Sequence, residues 1–250
     1  MYFNDVHILL YLIIFIIGLL VGHVVSWSIE KLANHKKISP FTFIQEEWKK
    51  GFNKPYGMMI LVGIVYISLL YKLGIQETII ANLKLVKYFI LSPMLISIFI
   101  IDYKYQIIPN RITLTMFEIG IIIAFLYGFS NVAITIDMLI GMLIGGGMFL
   151  IITLIGTIFY GKEAMGMGDI KLMGALGLYF GISNIVVISL MSFLLGAIIS
   201  LIRLIFKNKK INQYVPFGPF IVTSTFICMY VPLNEIINVL INIFTLGLYR

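Results

Sequence analysis

This 250-residue chain has four aspartates, Asp5, Asp102, Asp137 and Asp169. Two of them stand in surroundings suited to chemistry. Asp102 closes the apolar run Phe99-Ile100-Ile101 and precedes Ile107-Ile108-Pro109-Asn110-Arg111. Asp169 lies in Met165-Gly166-Met167-Gly168-Asp169-Ile170-Lys171-Leu172. Two carboxylates can hydrolyse an amide: one, ionised, activates water, and the other, protonated, hydrogen-bonds the carbonyl oxygen. If Asp102 and Asp169 are brought together, like charge prevents both from ionising, and they share a proton. Gly166 and Gly168 are expected to allow a backbone turn that side chains resist, and to let an extended peptide approach. An Asp just inside a helix start is also favoured by the free amides and the helix dipole. The bare Gly-x-Gly-Asp pattern arises by chance about 0.03 times in a chain of this composition, so alone it is only suggestive.

Other candidates have bland readings beside the functional one. Lys171 either orients a carboxylate or snorkels at the interface, and Lys162 and Glu163 read as interface residues by the same logic. Glu118 stands about 9 Å inside an apolar segment; it either lines a substrate groove or packs in protonated form. Asp137 needs no more than a membrane interface to explain it. None of the histidines, His7, His23 and His35, forms an HExxH pair, which excludes a zinc protease of that type. No serine-protease motif accompanies His23 and Ser26. Cys228 is the only cysteine, so no intramolecular disulfide and no cysteine-rich zinc site can form, and no metal is expected.

The elements that must carry these residues follow from composition. The chain is 60% hydrophobic and 12% charged, with a mean hydropathy of +1.04. A soluble domain has about twice that share of charges, and a disordered chain has the opposite composition. The fold class is therefore all-α, a polytopic membrane protein of about eight spans. Apolar runs place them near 6–25, 57–71, 85–101, 112–129, 134–160, 170–180, 182–204 and 215–230. A further apolar piece, 236–248, either lies in the interface or extends the last span. The first run reads as a retained anchor rather than a signal peptide. Alternate loops and span ends divide the 18 basic residues fourteen to four. Lys31, Lys36, Lys37, Lys49, Lys50, Lys54, Lys104, Arg111, Lys162, Lys171, Arg203, Lys207, Lys209 and Lys210 fall on one side. Lys72, Lys84, Lys87 and Arg250 fall on the other. The richer side is expected to be cytoplasmic and the amino terminus outside. The net charge of +7 thus points to a lipid bilayer and not to nucleic acid. Gly141 and Gly145 form a small-xxx-small face for close helix packing.

Three blocks resemble the type IV prepilin peptidases, polytopic GxGD aspartic proteases of the bacterial inner membrane. They are Ile101-Asp102 with Ile108-Pro109-Asn110, the segment Gly161–Leu172, and Val215-Pro216-Phe217-Gly218-Pro219-Phe220. The agreement runs from about residue 85 to 230. It implies that Asp102 and Asp169 are the catalytic pair, supported by Gly166, Gly168, Lys171, Pro109 and Asn110. It implies cleavage of the short basic leader of a prepilin or pseudopilin at the cytoplasmic face, with no cofactor. It also divides the chain into N-terminal spans, 1–83, and a peptidase membrane domain, 84–250.

Many members of that family also methylate the new amino terminus, an activity associated with paired CxxC motifs between the first two spans. Here the stretch from Ala33 to Tyr56 has no cysteine, so a zinc module is absent and methylation is doubtful. S-adenosylmethionine is expected only if methylation is retained. The first-span sequence Gly22-His23-Val24-Val25-Ser26-Trp27-Ser28 also departs from the usual Gly-Ser-Phe-Leu-Asn run. Two other readings stand beside the peptidase. A small proton-coupled transporter would explain intramembrane carboxylates but not the three blocks. A non-catalytic relative would not be expected to keep both aspartates. The sequence names neither the individual substrate nor the oligomeric state.

Overall fold

A computed structural model describes residues 2–3, 6–33, 43, 56–161, 165–206 and 215–245. Lys36, Lys37, Lys49, Lys50, Lys54, Lys162, Glu163, Lys207, Lys209, Lys210 and Arg250 lie outside the described residues, as does nearly all of the cysteine-free segment. Apart from a two-rung hairpin of β1 (Tyr2–Phe3) and β2 (Val6–His7), the described elements are helical. The helices are α1 (Ile8–Ala33), α2 (Tyr56–Leu73), α3 (Ile79–Tyr105), α4 (Asn110–Gly128), α5 (Val132–Tyr160), α6 (Met167–Ile205), α7 (Gly218–Tyr230) and α8 (Leu233–Phe244). Six of them, α1 to α6, are long and apolar enough to cross a membrane. The protein is an all-α, multi-pass membrane protein, divided into two compact units, Met1–Ile112 and Thr113–Arg250.

In the first unit α1 and α2 pack antiparallel through glycine. A methyl built on Gly18 would lie 2.6 Å from Gly63 Cα, and one on Gly22 2.6 Å from Met58 O. With little hydrophobic force between helices in lipid, such close backbone approach supplies the packing energy. Gly74, at φ 61°, ends α2, and Thr78 caps α3 by accepting from the Ala81 N–H at 3.3 Å. Pro93 interrupts the α3 ladder, since it has no N–H for the Phe89 carbonyl. Tyr66 of α2 fills that gap, donating its hydroxyl to Phe89 O at 2.8 Å with its ring stacked on Phe89. A backbone carbonyl left bare in the apolar interior would be costly.

The second unit is organised by α6. The sequence places two spans here, 170–180 and 182–204, and the structure has one 39-residue element broken at Gly181 (φ 71°, ψ −175°). The break is a reversal. A methyl on Gly145 would lie 2.5 Å from Met173 O and 2.8 Å from Ile185 Cγ1. Twelve residues of straight helix would hold those two residues about 18 Å apart. The chain therefore folds back at Gly181, and both legs lie along α5. Leg 167–180 runs antiparallel to α5, with Gly141 against Gly177 and Gly181, and Gly146 nearest Gly174. Leg 182–205 returns parallel to α5, and the Phe149 and Phe193 rings meet at 5.3 Å. The first leg is about 21 Å long, shorter than the hydrocarbon core of a bilayer. Phe217 and Phe220 of the last block pack on Gly196 of the returning leg. The α4 helix runs parallel to the first leg: Phe117 meets Gly174, Gly120 meets Leu178, and the Tyr179 hydroxyl donates to Met116 O at 3.0 Å.

Candidate active site

The described residues contain three buried charged side chains, Lys87, Asp102 and Asp169. Each aspartate is 5% exposed. Burying a carboxylate is costly unless function or pairing maintains it, so burial singles out the same two aspartates as the sequence motifs.

Asp102 stands in the last turn of α3, in the first unit. Its carbonyl accepts the Gln106 N–H at 2.9 Å, which closes the helix with Gln106 in the left-handed region at φ 56°. Gln106 is the only non-glycine residue with positive φ among the described residues. Such a conformation costs roughly 1–2 kcal/mol and collects near functional sites. The turn leads to Pro109, which is buried, and to Asn110, which is exposed and opens α4. The Pro109 carbonyl accepts the Ile112 N–H at 3.0 Å. Nothing in the sequence pattern marks Gln106, since glycine or asparagine is the usual signal for this conformation.

Asp169 stands in the first turn of α6, in the second unit. Its N–H donates to Gly166 O at 3.0 Å. Gly166 is the N-cap and has no side chain to compete for the amides of that turn, where a negative charge is favoured. The reason expected for the two glycines needs correction. Gly166 has φ −72° and ψ 143°, which any residue adopts, and Gly168 is helical. A methyl on Gly166 would come into ordinary contact with Asp169 Oδ2, at 3.5 Å. Asp169 also lies well short of the C-terminal end of α5. A methyl on Gly146 would lie 3.7 Å from Ile170 O, and α5 continues about 20 Å beyond that level to Tyr160.

Lys171 is exposed on the first turns of α6. Residues two apart on a helix leave it on different sides, so Lys171 and Asp169 point apart where they begin. Glu118 is exposed on α4, off the face that carries Met116, Phe117 and Gly120. Thr113 was not anticipated. It is 2% exposed, and the parallel register of α4 with the first leg of α6 brings it to the level of Ile170. A threonine in an apolar run has no sequence signal of its own. Asp137 is drawn into the fold: its Oδ1 accepts the Ile182 N–H at 3.2 Å. Among the described residues there is no group of three His, Cys, Asp or Glu that could hold a metal ion. Cys228 is buried in α7.

Residues 89–201 match the type IV leader peptidase family. Curated relatives named prepilin leader peptidase/N-methyltransferase align over a little more than half of the chain. The protein of Legionella pneumophila is 36% identical over 140 residues, 55% of this chain and 47% of its own length. That of Vibrio cholerae serotype O1 is 33% identical over 143 residues, 55% and 52% respectively. That of Aeromonas hydrophila is 28% identical over 140 residues, 56% and 47%. The chain spans about half the length of the curated relatives it matches. No solved structure gives a significant match.

Proposed function

We propose that this chain, whose residues 89–201 match the type IV leader peptidase family, is an aspartic endopeptidase that removes the leader from a prepilin or pseudopilin. One observation carries the reading. Among the described carboxylates only Asp102 and Asp169 are buried, and both fall inside the matched residues. A proton-coupled transporter would leave that match without a reason.

In this mechanism the working enzyme holds both carboxyls at one scissile carbonyl. Like charge keeps one of them protonated. The ionised partner takes a proton from water, which attacks the carbonyl carbon. The protonated partner hydrogen-bonds the oxygen that gains charge. Collapse of the tetrahedral intermediate breaks the C–N bond, and the leaving amine takes a proton from the pair. The empty space at Gly166 lets the peptide reach the Asp169 carboxylate. The proposal assigns the peptidase to residues 84–250 and places the site on the face rich in lysine and arginine. The charge asymmetry supports a bacterial cytoplasmic membrane with the amino terminus outside.

Methylation stands apart. The relatives carry N-methyltransferase in their names, but a paired-cysteine zinc site needs four ligands of a kind this chain has once. The residues do not fit that zinc module, and the peptidase chemistry needs neither it nor S-adenosylmethionine. Mass spectrometry of the processed amino terminus decides whether a methyl group is added.

The test is co-expression with a verified prepilin. Asp102→Asn and Asp169→Asn each abolish cleavage while the folded protein still accumulates in the membrane. Full processing by either variant would sink the carboxylate pair.

A further inference from the structure

The reversal at Gly181 lies about 18 Å along the first leg of α6 from Asp169, yet it fixes where that leg sits. At Gly181 the chain adopts φ 71° and ψ −175°, a region essentially closed to residues with a side chain. Two polar side chains satisfy the backbone that the break exposes. Asp137 of α5 accepts the Ile182 N–H at 3.2 Å, capping the returning leg. Asn184 donates from Nδ2 to Phe180 O at 2.9 Å, closing the first leg. The Asp137 carboxylate occupies the space that a Gly181 side chain would fill, so only glycine fits opposite it. Below this point the first leg meets α5 through bare backbone at Gly141, Gly145, Gly146, Gly174 and Gly177. That glycine face offers no interlocking side chains along α5; the leg's side-chain contacts, Phe117 at Gly174 and the Tyr179 hydroxyl on Met116 O, go to α4, so the Asp137 cap is the polar fixed point between the reversal and α5.

We propose that Asp137 is a positioning residue. Its cap on Ile182, locked against Gly181, pins the α6 reversal to α5 and so sets the depth of Asp169. The kinetic part of this proposal rests on the peptidase reading; the geometric part does not. The cap needs an acceptor oxygen, not a charge. Asparagine should therefore replace Asp137, and alanine should not.

The experiment uses the full chain in nanodiscs, in a Cys228→Ser background with Met167→Cys as reporter. Met167 is exposed and two residues from Asp169. The labelling rate with a membrane-impermeant maleimide reports the depth of that turn. Prepilin cleavage gives kcat and KM. Asp137→Asn is expected to match the parent in both. Asp137→Ala is expected to change the labelling rate severalfold and to lower kcat by about tenfold or more, with KM little changed. Gly181→Ala, which pushes the carboxylate away, should behave as Asp137→Ala does. Parental labelling and kcat in Asp137→Ala would overturn the proposal. So would an Asp137→Asn variant as impaired as the alanine one, because charge would then be what matters. If Asp137→Ala does not accumulate, Asp137→Asn alone decides: a tenfold loss of kcat overturns the proposal and parental kcat supports it. If the parent cleaves no prepilin, the peptidase reading fails, and the labelling rates decide the clasp by themselves.

Discussion

Gly145→Ala puts one methyl group where α5 meets both legs of α6. The new Cβ would stand 2.5 Å from Met173 O and 2.8 Å from Ile185 Cγ1, whereas ordinary contact begins at 3.4 Å. The isoleucine carbon can swing aside. The Met173 carbonyl is helical backbone and can yield only if the whole leg moves. A gap of about 0.9 Å must open on that side, and overpacking of this kind costs about 1–3 kcal/mol. The moved leg carries Asp169 in its first turn, and a displacement near 1 Å lowers catalysis by about a hundredfold when geometry is exacting. Gly147→Ala is the control. It lies on the same helix with nothing within 4 Å of the new methyl, and alanine is the better helix former by about 1 kcal/mol. The assay is steady-state cleavage of a prepilin by the purified full chain, with thermal unfolding of the same samples. Gly145→Ala should lower the unfolding temperature and reduce kcat by one to two orders of magnitude, while Gly147→Ala keeps parental kcat and is at least as stable. Parental kcat and stability in Gly145→Ala would refute the packing argument, and equal damage from Gly147→Ala would refute its assignment to this contact.

Two further outcomes follow from single positions. Gly166→Ala meets no strain, because φ is −72° and the methyl reaches ordinary contact, 3.5 Å from Asp169 Oδ2; stability should stay within about 0.5 kcal/mol, while cleavage falls as the methyl intrudes on the peptide's approach. Parental cleavage would show that this space is not used. Tyr66→Phe removes the hydroxyl that serves Phe89 O, and unfolding should show a loss of about 1 kcal/mol. In a Pro93→Ala background the restored N–H serves that carbonyl, so the same substitution should then cost little; equal losses in both backgrounds would disprove the coupling.

The sequence by itself determined the solvent and the elements. A chain with 12% charged residues cannot cover a soluble surface, and its apolar runs are long enough that helices are the only way to satisfy their backbone in lipid. It also marked Asp102 and Asp169, because polar residues are so scarce here that a motif around one stands out. Tertiary structure decided what short-range pattern cannot carry. Gly181 looks like any other glycine in an apolar run until Met173 and Ile185 are found against the same residue of α5. Asp137, readable as an interface residue, caps a helix 45 positions later, and no local spacing encodes a partner that distant. Gly166 was legible as part of a motif, but not its backbone: with φ −72° it needs no glycine for the turn, and only packing shows that it lies beside the Asp169 carboxylate. Volume, depth and capping are properties of atoms brought together from separate segments. They exist only once α5 and the two legs of α6 are packed.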